Sequence, residues 1–310
     1  MQLDWLLMLR ALCLLSALGL AAPAALACEM QTNSRAGTLI DYVSNGHSCL
    51  ASPPEAFRFD PVTEQLFVDA VNGARADHGL SALIVRPGLR SAARFHSLDM
   101  GLNEFFSHQT PSGRAHAARV AAFDRTLLAE GTAENLAQFG PSVCVDHRDR
   151  EVSCGRVRGF KPPTREYVTN ELHLKLMNSE GHRKNILDPD MTHISVGVAR
   201  NETGYYVTQL FADVLGTLSE PAPITVSASR PLELTARTPG WEVANFALSQ
   251  GDEMIDLEMG QIPANLRGDT GLSVRAEITQ EYEEGPITRT LVTWIYPSGP
   301  TIEIVPATGS

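Results

Sequence analysis

Beyond its first 27 residues the chain has no apolar run approaching the length of a membrane span, which argues against a transmembrane helix from residue 28 onward. Positive charge is also scarce. Against 36 Asp and Glu stand 25 Lys and Arg, giving a net charge of −11. That deficit of cations argues against a nucleic-acid surface or an anionic membrane surface as the main partner. Several local chemical signatures are missing. No Gly-x-Ser-x-Gly elbow supplies a serine nucleophile. No phosphate-cradling glycine loop, zinc-finger spacing or His-Glu-x-x-His pair occurs. There is no internal repeat and no low-complexity tract. What remains is an ordinary globular composition, 43% hydrophobic and 20% charged over 310 residues, long enough for two cores.

Cysteine is sparse, and its placement is informative. Residues 1–27 read as a signal peptide: a charged start, an apolar run and an Ala25-Leu26-Ala27 exit behind the Pro23 break. Arg10 is the only cation of that segment and Asp4 opposes it, so Met8 is a second candidate initiator. A retained membrane anchor is the competing reading. Cys13 would leave with the leader, and the remaining Cys28, Cys49, Cys144 and Cys154 form an even set, as expected of two disulfides in an exported chain. Three pairings are formally possible; proximity in sequence favours Cys28 with Cys49 and Cys144 with Cys154. Cys28 would then be the first mature residue. The residues before it match a lipoprotein cleavage site poorly. The expected location is extracytoplasmic, secreted or periplasmic.

Residues 28–59 hold little apolar pattern and many breakers, and read as a disulfide-closed N-terminal arm. Helical spacing starts at 62–78, with Pro61 ahead and Gly79 behind. A second helix is expected after Pro87 and a third in "RAHAARVAAF". Residues 141–163 read as an inserted loop, and a helix resumes over 165–178. "HISVGVAR" and "YYVTQLFADV" read as two strands joined by the turn Asn201-Glu202-Thr203-Gly204. Pro221 and Pro223 mark a boundary, beyond which residues 224–307 alternate apolar and polar in short segments. That pattern predicts a small all-β unit, most simply a sandwich.

Within residues 60–218, five blocks occur in order: "FVDAVNGARADHGLSAL", "FFSHQTPSG", "AENLA", "MNSEGHRKNILDPDMTHISVGVA" and "YYVTQLFAD". Together they resemble the CAP superfamily, the cysteine-rich secretory protein, antigen 5 and pathogenesis-related 1 group, in its bacterial SCP-domain form. The resemblance implies an α+β fold, an α-β-α sandwich whose central cleft gathers two histidines and two acids. It assigns His108 and His182 as the cleft histidines and Glu134 as the first acid. The second acid departs from the family's pattern. Leu176 stands where a tryptophan is usual and Ser179 falls at the acid's register, leaving Glu180 or Glu171 as candidates. Along one continuous helix Glu180 would be turned about 100° from that register, unless the helix ends first, which Gly181 makes possible.

Two imidazoles and a carboxylate facing one cleft can bind a divalent cation such as zinc, or polarise a water. Without the resemblance, each histidine reads more simply as a hydrogen-bonded structural residue. Asn135, Arg183 and Asn185 read as loop holders. His96 and His193 read as packing or surface residues, and His78, His116 and His173 show no partner. Ser107 and Ser112 read as turn residues. The leading expectation is a non-catalytic exported module binding a small ligand, a divalent metal or a lipid, in its cleft, with a protein partner conceivable for the C-terminal unit. The alternative is a metal-assisted hydrolase, a peptidase.

Overall fold

The structure, a computed structural model, describes residue 28 and residues 37–140, 142–146, 152–156, 163–251, 253–284 and 287–307; over 142–146 and 152–156 it describes the backbone alone. The signal-peptide reading of 1–27 and much of the loop at 141–163 lie outside these residues.

The described chain begins with a helix in the segment read as an irregular arm. Helix α1, Leu39–Ala51, starts at a capping box. Thr38 Oγ1 accepts from the Asp41 N–H at 3.3 Å while Asp41 Oδ2 accepts from the Thr38 N–H at 3.2 Å. The breaker-rich composition misled because Gly46 has a packing role. A Cβ there would lie 2.3 Å from Phe123 Cζ, so glycine lets α1 approach the Phe123 ring. Residue 28 is tied to this helix by the expected Cys28–Cys49 disulfide.

The elements that follow match the sequence expectations at four helices and two strands, Pro61–Asp77, Pro87–Leu102, His116–Phe123, Arg165–Asn178, His193–Arg200 and Tyr205–Leu218. The strand Leu127–Phe139, the hairpin within the segment read as an inserted loop, the helix Glu180–Ile186 and two two-residue strands were not foreseen. In chain order the elements are β1 (Arg58–Phe59), α2 (Pro61–Asp77), β2 (Ile84–Val85), α3 (Pro87–Leu102), α4 (His116–Phe123), β3 (Leu127–Phe139), the β4–β5 hairpin (Ser142–Asp146, Val152–Arg156), α5 (Arg165–Asn178), α6 (Glu180–Ile186), β6 (His193–Arg200) and β7 (Tyr205–Leu218). Pro61 and Pro87 occupy first helical turns, where the missing N–H costs nothing. Asp60 and Thr164 cap α2 and α5 through bonds from the Thr63 and Tyr167 N–H groups. In the β4–β5 hairpin, Cys144 and Cys154 are directly opposite; the bond expected between them involves side chains outside the described residues.

Strands β6, β7 and β3 form the middle layer, and the two-residue period of a strand sorts their side chains to opposite faces. Ala199, Leu210 and Ala212 pack with α1, α3 and α4 residues such as Leu39, Phe95 and Phe123. Ile194, Val196, Val198, Val207 and Phe211 pack with Phe67 and Val71 of α2, Leu172 of α5 and Ile186 of α6. The result is an α-β-α sandwich. At Gly197 the backbone of α3 comes so close that an added Cβ would meet Ala93 C at 2.2 Å.

The C-terminal region is all-β, as its alternation predicts: β8 (Thr225–Ser227), β9 (Ala236–Arg237), β10 (Glu242–Gln250), β11 (Glu253–Asp256), β12 (Gly268–Glu284), β13 (Ile287–Ile295) and β14 (Ser298–Val305). Its strands continue the sheet of the helical region, because β14 pairs with β3 at Ser298 and Ala129. The core beneath takes Leu128 and Leu218 from β3 and β7. Much of its cover comes from residues outside strands, including Ala228, Leu232, Leu257, Ile262 and Leu266.

Candidate functional site

Glu134 and Asn135 are neighbours on β3, so their side chains leave opposite faces of the sheet. Beyond Ala129 the outer edge of β3 has no strand partner among the described residues. Its carbonyls are taken instead by side chains: His116 Nε2 lies 3.1 Å from Thr132 O and Asn185 Nδ2 donates to Glu134 O at 3.2 Å. The site straddles this edge, with one histidine arriving from each helical layer.

His108 sits in the loop between α3 and α4. Arg119 of α4, with no exposed surface, donates through Nη1 to His108 O and Arg114 O, each at 2.8 Å. His96 of α3 lies with Nε2 3.0 Å from Ser107 O. A carbonyl can only accept, so this nitrogen carries the proton and Nδ1 is left as a buried acceptor without a partner among the described residues. Burial first, and the Arg119 charge second, push the His96 pKa down to about 3, so the ring is neutral. These bonds fix the loop from beneath and leave the His108 side chain 56% exposed.

The His108 ring meets Glu134 through Nδ1, 2.9 Å from Oε1. The other carboxylate oxygen, Oε2, is ion-paired with Arg119 Nη2. Burial alone would raise the Glu134 pKa. The bond from His108 and the Arg119 charge outweigh it and hold the carboxyl below its ordinary value. An ionised, buried carboxylate therefore has both oxygens occupied, one orienting an imidazole and one neutralised by a cation.

His182 lies on α6, whose backbone is tied to a side chain on the opposite face of β3. Asn135 Nδ2 donates to His182 O and to Gln209 Oε1, each at 3.1 Å, and Asn185 Nδ2 donates to Asn135 Oδ1 at 2.9 Å. Burial lowers the His182 pKa, and the His108 imidazole lowers it further. Asn135, Asn185 and Arg183 bond to backbone carbonyls as expected, but the segments they hold are α6, β3 and the end of α5 rather than loops: Arg183 Nη1 donates to Met177 O at 3.0 Å.

Helix α5 ends at Asn178 and Ser179 takes extended backbone, so Glu180 opens a new helix. The rotation expected along a continuous helix does not apply. Glu180 is exposed, and neither it nor Glu171 takes part in the hydrogen bonds and ion pairs holding His108, Glu134 and His182. Among the described residues no group of three or more His, Cys, Asp and Glu side chains is arranged to hold a metal ion. Ser107 Oγ accepts from the Gln109 N–H at 3.1 Å and Ser112 Oγ lies 2.9 Å from Thr110 Oγ1, as turn residues. Sequence reasoning missed Arg119. Its signal was a single charge in a short alanine-rich helix, followed by Val120, Ala122 and Phe123, which are buried.

Comparison with known proteins finds relatives over about half of the chain. "Uncharacterized protein YkwD" of Bacillus subtilis (strain 168) is 32% identical over 148 residues, 48% of this chain and 46% of that protein. "Uncharacterized membrane protein YlbC" of the same organism is 29% identical over 154 residues, 50% of this chain and 35% of that protein. The chain thus spans less than half the length of either relative. Among solved structures, an extracellular protein containing a SCP domain from Bacillus anthracis str. Ames is 25% identical, with a TM-score of 0.37 over 49% of this chain and 41% of that one. An outer surface protein from Borrelia burgdorferi is 16% identical, with a TM-score of 0.36 over 48% of this chain and 91% of that one. At such TM-scores neither superposition carries weight by itself. The segment holding His108, Arg119, Glu134 and His182, residues 68–211, matches the model of the CAP, or cysteine-rich secretory protein, family.

Proposed function

We propose that the protein is an exported CAP-type module whose cleft holds a small ligand through the imidazoles of His108 and His182 and performs no covalent chemistry. The observation behind this reading is the occupancy of Glu134. With Oε1 on His108 and Oε2 on Arg119, each carboxylate oxygen already accepts one strong bond and the Arg119 cation balances its charge, which weakens it as a base toward water and as a direct ligand of an ion. It fits instead as the outer carboxylate that fixes the tautomer of a ligating histidine, leaving His108 Nε2 for the ligand. A divalent cation such as zinc would be held by His108 and His182, with solvent completing its shell, and would supply a Lewis-acidic centre at the edge of β3. Export is supported by the Cys28–Cys49 disulfide. No helix among the described residues is long and apolar enough to cross a membrane.

Titration calorimetry with zinc at neutral pH tests the reading. Heat is expected from the parent, reduced on acidification as the imidazoles take up protons. It should vanish in the His108→Ala, His182→Ala double variant and survive in His96→Ala. Heat persisting in the double variant would put the ion elsewhere. No heat in the parent would exclude the cation and leave a lipid as the ligand to test. Cleavage of peptides by the zinc-loaded parent, lost in His108→Ala, would favour the hydrolase reading instead.

A further inference from the structure

The hairpin of β12 and β13 extends past the rest of the sheet. Glu277 is the last residue of β12 to pair in register with β10, at Glu242, yet β12 runs on to Glu284 with β13 alone beside it. Among the described residues β13 pairs only with β12, so its outer edge over Ile287–Ile295 is open. The hairpin therefore presents two free edges, and an unpaired row of N–H and C=O groups is a template for another strand.

The two edges differ in chemistry. Along the outer part of β12 stand Glu281, Glu283 and Glu284, charges of the kind that discourage pairing. Strand β13 reads "ITRTLVTWI", with no Pro, Lys, Asp or Glu and a single cation. That cation, Arg289, is already ion-paired with Glu284 on β12. The edge is thus close to neutral, rich in β-branched residues and apolar in side chains that remain open to solvent: Ile287 at 57%, Leu291 at 49%, Val292 at 45% and Trp294 at 39% exposed. Trp294 is held in place by Arg275, whose guanidinium lies 4.2 Å from the ring centroid.

We infer that this edge pairs with the same edge of a second copy of the chain, the two β13 strands running antiparallel about a two-fold axis at Leu291. Residue complementarity selects this occupant. With Leu291 facing its own copy, Ile287 faces Ile295, Thr288 faces Trp294, Arg289 faces Thr293 and Thr290 faces Val292. Apolar residues meet apolar or threonine partners, and Arg289 does not meet another cation. The pairing is isologous, so it consumes both β13 edges and closes, while the glutamates of β12 guard the edges left over. This surface lies outside the CAP-matching segment and does not depend on the ligand proposed for the cleft.

Light scattering or sedimentation of the full protein across the micromolar to millimolar range tests the inference. The parent mass should rise with concentration to twice the protomer mass. Leu291→Lys places two ammonium groups against each other on the axis and should remain at protomer mass, as should Leu291→Glu with its two carboxylates. Mixing the two variants should restore the doubled mass, because opposite charges then face each other. Leu291 is half exposed, and an unchanged melting temperature would show that each variant is folded. A parent that stays at protomer mass throughout would overturn the inference and leave a strand from another protein as the occupant. Variants that dimerise like the parent, or that fail to recombine when mixed, would overturn it as well.

Discussion

An arginine with no exposed surface requires a compensating charge, and Arg119 finds it in Glu134, whose side chain is 1% exposed. Removing one member of such a pair leaves the other charge in the interior, which costs about 3–5 kcal/mol. Arg119→Met should therefore destabilise the protein by about that amount near neutral pH, as read by urea unfolding. The pH dependence has a definite sign. In the parent the folded pKa of Glu134 lies below its unfolded value, so its contribution is complete above the ordinary carboxylate range and is lost as pH falls through the lowered value. Without Arg119 a principal opposing charge is gone and burial weighs more heavily. The deficit of the variant should shrink on acidification as Glu134 takes up a proton. A loss below about 1 kcal/mol at neutral pH would mean that solvent reaches the pair.

Among the elements, α1 shows how a rule of composition fails. Glycine in a helix interior ordinarily costs roughly 0.5–1 kcal/mol relative to alanine, so Gly46→Ala would be stabilising on propensity alone. Here the added methyl would meet the Phe123 ring, which is itself wedged edge-on against Tyr42 and Phe95, with centroids 5.7 and 5.3 Å away. Overpacking of this kind costs typically about 1–3 kcal/mol, which exceeds the propensity gain. Gly46→Ala should lower the melting temperature, and a rise would show that the ring moves aside freely. The helix was invisible in sequence for the same reason. Its buried positions, Leu39, Val43, Gly46 and Cys49, keep helical spacing, but two of the four are not residues that mark an apolar stripe. By contrast α2, α3 and α5 were legible because proline at the start or a capping residue reinforced their apolar period.

For the whole molecule, the sheet joins the segment matching the CAP family to the C-terminal β region. Arg125 Nη1 donates to Thr301 O at 2.6 Å and Nε to Ala222 O at 3.2 Å, while β14 lies along the start of β3. A chain ending at Leu218 keeps the two cores on either side of the α-β-α sheet but uncovers Leu128 and Leu218, both buried in the third. Burying a leucine stabilises by about 1.5–3 kcal/mol, so exposing the pair should lower the melting temperature of the fragment while its unfolding remains cooperative. A fragment melting with the full chain would make the two regions independent. One that does not fold would make the third core essential.

The sequence by itself determined the mixture of helices and strands, the places of four helices and two strands in the first part of the chain and the all-β character of the C-terminal region, and it favoured Cys28 with Cys49 among three possible pairings. Each depends on local period, on local breakers or on short separation along the chain, and those are visible in one dimension. Through a family resemblance it also singled out His108, Glu134 and His182. Only the tertiary structure decided what those residues face. Adjacent positions on one strand send Glu134 toward α4 and Asn135 toward α6, so Arg119 and His182 reach the same strand edge from opposite layers. No spacing in the sequence encodes that meeting, because it depends on which elements pack against β3, and that is set by burial summed over the whole core.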